Sequence, residues 1–278
     1  MRTVRVLTTR YAWRVIATPS KTQLRWELAI VLALSFGAAG VRAIVVIVER
    51  LSSEVALSSQ TATINRPLAD RATFDLIYQL LSFAFGLAPV ALVAYLLWRR
   101  RAPHLGNLGL GRLPRMQRGW WVRESAFGLL LAAAIGIPGL VFYAFARGIG
   151  INTTVIPAAL DTYWWTVPVL VLMALKAALG EELIVVAYVF DRLKRLGVGP
   201  IATIVSSALL RGSYHLYQGF GGFIGNVAMG LVFGWAYQRW GRSLPLIVAH
   251  WVLDIVSFVG YPLAVALWPA FFSLPAAA

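Results

Sequence analysis

The chain has 278 residues, of which 59% are hydrophobic and only 13% are charged, and its mean hydropathy is +0.73. Soluble proteins carry roughly 25% charged residues, so this composition excludes an ordinary soluble domain and indicates a helical membrane protein. The net charge is +14, and the absence of cysteine excludes disulfides and thiolate chemistry.

Apolar segments of membrane-spanning length recur along the whole chain. About 20 apolar residues are needed to cross a bilayer, and we assign spans to 26–48, 73–98, 124–146, 164–190, 199–217, 222–239 and 244–260. A weaker eighth segment, 261–274, is interrupted by prolines and either crosses the membrane or dips into it. The predicted fold class is all-α, a polytopic transmembrane helical bundle with seven to eight spans. Residues 26–278 are expected to form a single membrane domain.

The basic residues alternate between the two sides of the predicted bundle. Of the 25 Lys and Arg residues, 18 lie in segments 1–25, 99–123, 191–198 and 239–243. This positive-inside pattern predicts that residues 1–25 form a basic cytoplasmic segment of a multi-pass integral membrane protein. The basic loops are therefore interpreted as contacts with the lipid bilayer, and no nucleic-acid partner is predicted.

Three predicted spans carry polar pairs that are expensive to bury in a membrane. Glu181 and Glu182 interrupt the fourth span, and the next pairs are Arg211 with His215 and His250 with Asp254. Ionisable residues at membrane depth usually face a polar interior and are functional. Residues four apart share one helix face, so we expect all three pairs to meet in one cavity.

The order and spacing of these pairs resemble the CPBP family of intramembrane endopeptidases, which is related to the type II CAAX prenyl protease. The family motifs EExxxR, FxxxH and HxxxN/D correspond here to Glu181-Glu-Leu-Ile-Val-Val186, Arg211-Gly-Ser-Tyr-His215 and His250-Trp-Val-Leu-Asp254. The similarity covers about 175–260, and the CPBP-like core is placed at about 164–260.

The resemblance implies hydrolysis of a peptide bond in a membrane-associated protein or peptide. By that resemblance Glu181, beside Glu182, activates the attacking water, and His215 shares in that work or protonates the leaving group. His250 positions the water or the intermediate. Asp254 replaces the Asn that the family uses for the oxyanion, and an ionised carboxylate is unable to donate a hydrogen bond.

Two departures from the family motifs concern charge. The motif Arg is Val186 here, and the Phe of the second motif is Arg211. We expect a swap in which Arg211 supplies the counter-charge of Glu182 from a neighbouring helix, with side-chain atoms within about 4 Å. Lys176 is a poor substitute, because it lies on a different face of the helix from both glutamates.

The resemblance leaves metal dependence open. Glu181, His215 and His250 form a set that can bind a divalent ion such as zinc, although metal-free glutamate chemistry is favoured. Two other functions stay open: a catalytically weak membrane scaffold or immunity-type protein of the same fold, and a proton-coupled transporter, since Glu, His and Asp also relay protons. The expected location is a bacterial plasma membrane.

Overall fold

The computed structural model describes residues 19–111 and 119–267 and is mostly helical, as predicted. Most of the basic N-terminal segment and the end of the possible eighth span lie outside those residues. The helices are α1 Lys21–Ala33, α2 Phe36–Leu51, α3 Ala72–Gly86, α4 Ala88–Leu96, α5 Trp120–Gly148, α6 Thr166–Gly180, α7 Val189–Leu196, α8 Pro200–Ser213, α9 Phe220–Trp240, α10 Leu244–Ile255 and α11 Tyr261–Leu267. Two π-helical segments, Glu181–Tyr188 and Val256–Gly260, continue α6 and α10.

Four helical stretches of the described residues are long and apolar enough to cross a membrane: Ala72–Leu96, Trp120–Gly148, Phe220–Trp240 and Leu244–Leu263. A fifth crossing results if α1 and α2, which meet at a 54° bend, form one broken span. The predicted fourth and fifth spans are absent from this set. Glutamates and a π-helical segment interrupt the first of them, and the 14 residues of α8 rise only about 21 Å.

A small parallel sheet joins two loops that are distant in sequence. Strand β1, Thr61–Asn65, pairs with β2, Thr154–Ala158, and Thr61 lies opposite Thr154. Just before β2, the backbone N–H of Thr153 donates to the carbonyl of Gln218, in the turn after α8, at 2.9 Å. The sheet therefore lies on the same side of the bundle as the turn that follows α8.

Helices α8 and α9 pack with their backbones close together. A Cβ atom added to Gly230 would lie 2.8 Å from the Cα of Ala208, whereas one added to Gly225 would meet Phe142 only at an ordinary 3.6 Å. The close approach of the two backbones is therefore at Gly230 and not at Gly225. This packing fixes the end of α8 within the bundle.

The π-helical segment Glu181–Tyr188 is buried along its whole length. At its far end the hydroxyl of Tyr188 donates to Glu27 of α1 at 3.0 Å, and Arg192 of α7 forms ion pairs with Glu27 and Asp191. Burial disfavours a charge on Arg192, but hydrogen bonds and attraction from these two carboxylates outweigh that effect and raise the pKa of its guanidinium. Through Glu27, Tyr188 and Arg192 therefore link α1 to the far end of the π-helical segment.

Candidate active site

The two glutamates begin the π-helical segment at the point where α6 ends. Glu181 is 6% exposed and Glu182 is fully buried. A π-helix has a wider turn than an α-helix, with i→i+5 hydrogen bonds, and such segments occur frequently at functional sites. Both carboxylates are therefore buried, and their charges require partners.

Arg211, on the last turn of α8, is the counter-charge of both carboxylates. Its Nη2 lies 2.6 Å from Glu182 Oε1, and its Nη1 lies 3.2 Å from Glu181 Oε2. The guanidinium is fully buried and lies over the ring of Phe233, 5.4 Å from the ring centre. The predicted Arg211–Glu182 pair is confirmed, and the arginine also reaches Glu181.

Val186, which replaces the arginine of the family motif, has no part in this charge network. It is fully buried in an apolar cluster with Phe233 and Ala249. Lys176, as expected, lies away from the glutamates and donates to Ser82 of α3 at 3.2 Å. The positive charge of the site therefore comes from α8.

Helix α10 brings His250 to the other side of Glu182. Its Nδ1 lies 2.8 Å from Glu182 Oε1, and because a carboxylate only accepts, Nδ1 is the donor. On the other side of the ring, Nε2 lies 3.6 Å from Asp254 Oδ2. His250 therefore lies between two carboxylates, and Glu182 Oε1 accepts hydrogen bonds from both His250 and Arg211.

His215 approaches Glu181 from a turn and not from a helix as predicted, because α8 ends at Ser213. Its Nε2 lies 3.9 Å from Glu181 Oε1, and both ring nitrogens are buried without a hydrogen-bond partner among the described residues. Glu182 Oε2 is in the same condition. Among the described residues, the unsatisfied polar atoms of the site are thus Glu182 Oε2, the two ring nitrogens of His215, and Nε and Nη1 of Arg211. One water molecule can bridge the separation between His215 Nε2 and Glu181 Oε1.

The donor set for a metal differs from the set predicted from the sequence. Glu181, Glu182 and His250 each offer one ligand atom, and these atoms lie within 4.8 Å of one another. Two carboxylates and an imidazole are donors that suit a divalent ion. Because the Arg211 guanidinium already lies against both carboxylates, an ion bound there has to compete with it.

Two aromatic residues approach the glutamates in ways that helix spacing did not predict. The hydroxyl of Tyr214 donates to Glu181 Oε2 at 2.8 Å, and the Tyr214 ring lies 4.8 Å from that of Phe36 on α2. The sequence indicated no catalytic role for Tyr214. Its position next to His215 was the one sequence feature that could have placed Tyr214 in the site. Nothing in the sequence around Phe36 indicated that this residue contacts the site.

Comparison with known proteins assigns the segment that contains the two glutamates, Arg211, His215 and His250. Residues 163–256 match the family described as Type II CAAX prenyl endopeptidase Rce1-like. This segment therefore carries a domain of a CAAX protease family, and the resemblance to the CPBP endopeptidases is confirmed over it. No curated protein and no solved structure matches the chain significantly.

Proposed function

We propose that the protein is an intramembrane endopeptidase that hydrolyses a peptide bond of a membrane-associated protein or peptide. The observation that carries the proposal is the gap between Glu181 Oε1 and His215 Nε2, which are 3.9 Å apart and face each other inside a buried, charged site. A water molecule bound to both atoms has a base on one side and an imidazole on the other, the arrangement that general base catalysis requires.

The reaction uses the side chains of the site and one water molecule. Glu181 accepts a proton as the water oxygen attacks the carbonyl carbon, and the carbonyl oxygen takes the negative charge. The C–N bond then breaks, and the departing nitrogen receives the proton from Glu181 directly or through His215. The products are a carboxylic acid and an amine, so all atoms of the water are accounted for.

His250 is the proposed partner of the oxyanion. Glu182 accepts from its Nδ1, which leaves Nε2 as the ring nitrogen available to the reacting group. Asp254 lies 3.6 Å from this Nε2 and replaces the Asn of the family motif. In this proposal His250 is an imidazolium, so Nε2 also carries a proton. Nε2 donates to the oxyanion, which supplies the stabilisation that a carboxylate is unable to give, and Asp254 orients the charged ring.

Two backbone links support a bundle of seven spans, and the basic loops favour a cytoplasmic N-terminus. Because β1 pairs with β2, the chain between them crosses the membrane an even number of times, and the candidate spans Ala72–Leu96 and Trp120–Gly148 supply two crossings. Thr153 pairs with Gln218 in the same way, which favours crossings by the α6–α7 segment and by α8. The resulting unit is a single membrane domain over 26–278.

The buried arginine also weakens the case for a scaffold without activity. That alternative is based on the three departures from the family motifs at Val186, Arg211 and Asp254. Arg211 supplies the missing charge at 2.6 Å from Glu182, so the first of these departures leaves the site complete. No feature of the described residues favours the transporter.

Cleavage by the purified protein tests the proposal. Membrane-associated peptides with and without a prenyl group are incubated with the protein in detergent, and products are identified by mass spectrometry. Glu181→Gln is expected to lower kcat by about 10²–10⁴-fold, the typical contribution of general base catalysis. The matched control is Glu54→Gln, which changes an exposed loop glutamate. A folded wild-type protein that cleaves no peptide, or a Glu181→Gln variant as active as the control, overturns the proposal.

A further inference from the structure

The two oxygens of Glu181 differ in their surroundings. Oε2 receives the hydroxyl of Tyr214 at 2.8 Å and lies 3.2 Å from Arg211 Nη1. Oε1 has no hydrogen bond among the described residues, and it lies 3.9 Å from His215 Nε2. A carboxylate held by one oxygen has a fixed orientation, so the contacts to Oε2 determine where Oε1 points.

The hydroxyl of Tyr214 is placed by packing that begins outside the family-matched segment. Tyr214 caps the end of α8 and is 7% exposed. Its ring packs against Phe36, the first residue of α2, with ring centres 4.8 Å apart. On its other side the Tyr214 ring lies 4.9 Å from the ring of His215. One aromatic side chain therefore touches the proposed base and the histidine that faces it.

Phe36 also contacts the helix that carries the glutamates. A Cβ atom added to Gly180 would lie 3.2 Å from Phe36 Cζ, so the ring fits against the bare backbone immediately before Glu181. Phe36 comes directly after the 54° bend between α1 and α2. Its ring therefore contacts both the end of α6 and the end of α8.

We propose that Tyr214 and Phe36 are positioning residues for the hydrolysis: Phe36 fixes the Tyr214 ring, and the Tyr214 hydroxyl fixes Glu181 Oε2 so that Oε1 faces the water site beside His215. The inference rests on the proposed function and adds to it a residue from the N-terminal helices. It assigns to α2 a direct influence on the geometry of the base.

Removal of the hydroxyl alone tests the first half of the proposal. Tyr214→Phe keeps the ring and its packing. It is expected to lower kcat about tenfold to a hundredfold, because that factor corresponds to the free energy that a hydrogen bond to a charged group contributes. KM is expected to change by less than about twofold, because the ground-state contacts of the substrate are retained. Tyr95→Phe is the matched control, since Tyr95 is 79% exposed.

A double-mutant cycle tests whether Phe36 acts through that hydroxyl. Phe36→Ala is expected to lower kcat in the wild-type background, and to have little further effect in the Tyr214→Phe background. The control is Phe85→Ala, at a phenylalanine that is 73% exposed. If Phe36→Ala fails to fold, Phe36→Leu provides the same comparison, because leucine retains apolar bulk but has no ring.

An infrared measurement separates failure of this inference from failure of the proposed function. The carboxylate band of Glu181 is assigned from the difference between wild type and Glu181→Gln, and Tyr214→Phe is expected to shift it. Wild-type cleavage combined with an unshifted band, or with an unchanged kcat for Tyr214→Phe, overturns the positioning role while the protease proposal stands. Equal and additive losses from Phe36→Ala in both backgrounds overturn the role of Phe36. A folded wild type without cleavage overturns the proposed function and the positioning role with it, even if the band shifts.

Discussion

Arg211 balances two carboxylates that adjoin each other in the chain, and its position explains how the site tolerates Val186. The family motif places the arginine on the helix of the glutamates, whereas this protein places it on α8. The guanidinium reaches Glu182 at 2.6 Å and Glu181 at 3.2 Å. An arginine fork suits this task, because its fixed geometry offers several donors at once.

Loss of this cation is expected to destabilise the folded protein strongly. Arg211→Leu removes the guanidinium that contacts both buried carboxylates, and removal of one partner of a buried pair typically costs about 3–5 kcal/mol. Adding Glu182→Gln is expected to recover part of the loss, and adding Glu181→Gln to that variant is expected to recover more. Thermal or denaturant unfolding in detergent measures each free energy of unfolding.

Arg239→Leu is the control for this series, because Arg239 is exposed at the end of α9. It removes a positive charge without stranding a carboxylate, and we expect little change in stability. An Arg211→Leu protein as stable as this control would contradict the account of the ion pair. So would a variant with Glu182→Gln that is no more stable than Arg211→Leu alone.

At the scale of helices, the sequence was sufficient to locate the polar pairs but not to define their surroundings. Motif spacing predicted that Arg211 neutralises Glu182, and that contact is present. The role of Tyr214 depends on α8 ending at Ser213, beyond which helix-face arguments no longer apply. The contact of Phe36 with Tyr214 depends on a 54° bend between α1 and α2, and the sequence has no proline at that junction to predict the bend.

The π-helical segments mark another limit of prediction from periodicity. The face assignments for the glutamate helix assumed an α-helix, but residues Glu181–Tyr188 form a π-helix, which has a different angular spacing. At the far end of this segment Tyr188 contacts Glu27 of α1. The second π-helical segment begins at Val256, two residues after Asp254. Irregular helix therefore adjoins the site on both α6 and α10.

The contact between α8 and α9 gives a prediction that compares two glycines of one helix. Gly230→Ala is expected to cost about 1–3 kcal/mol of stability, because its Cβ would lie 2.8 Å from the backbone of Ala208. Gly225→Ala is expected to be neutral or to stabilise by up to about 1 kcal/mol, since alanine is the better helix former and has space at 3.6 Å from Phe142. Unfolding of both variants in detergent measures the difference. Equal stability would contradict the close packing of the two helices.

At the scale of the whole molecule, the absence of native cysteine allows the proposed orientation to be tested cleanly. Cysteine is introduced at Ser53, in the loop after α2, or at Lys194, near the end of α7; both positions are exposed. An impermeant maleimide is expected to label Ser53→Cys in intact cells and Lys194→Cys only after permeabilisation, because basic loops remain in the cytoplasm. The cysteine-free parent is the control. The opposite labelling pattern would contradict the proposed orientation.

The pairing of β1 with β2 has a consequence for biosynthesis. Thr61 and Thr154 are partners although roughly ninety residues separate them, so a ribosome that adds about 5–20 residues per second requires about 5–20 s between the two strands. During that interval β1 has already been made while its partner has not, and its unpaired edge offers hydrogen-bonding groups to any other extended chain. A translational pause or a premature stop before Thr154 prolongs this exposure. We therefore expect such products to be the ones that membrane quality control removes most heavily.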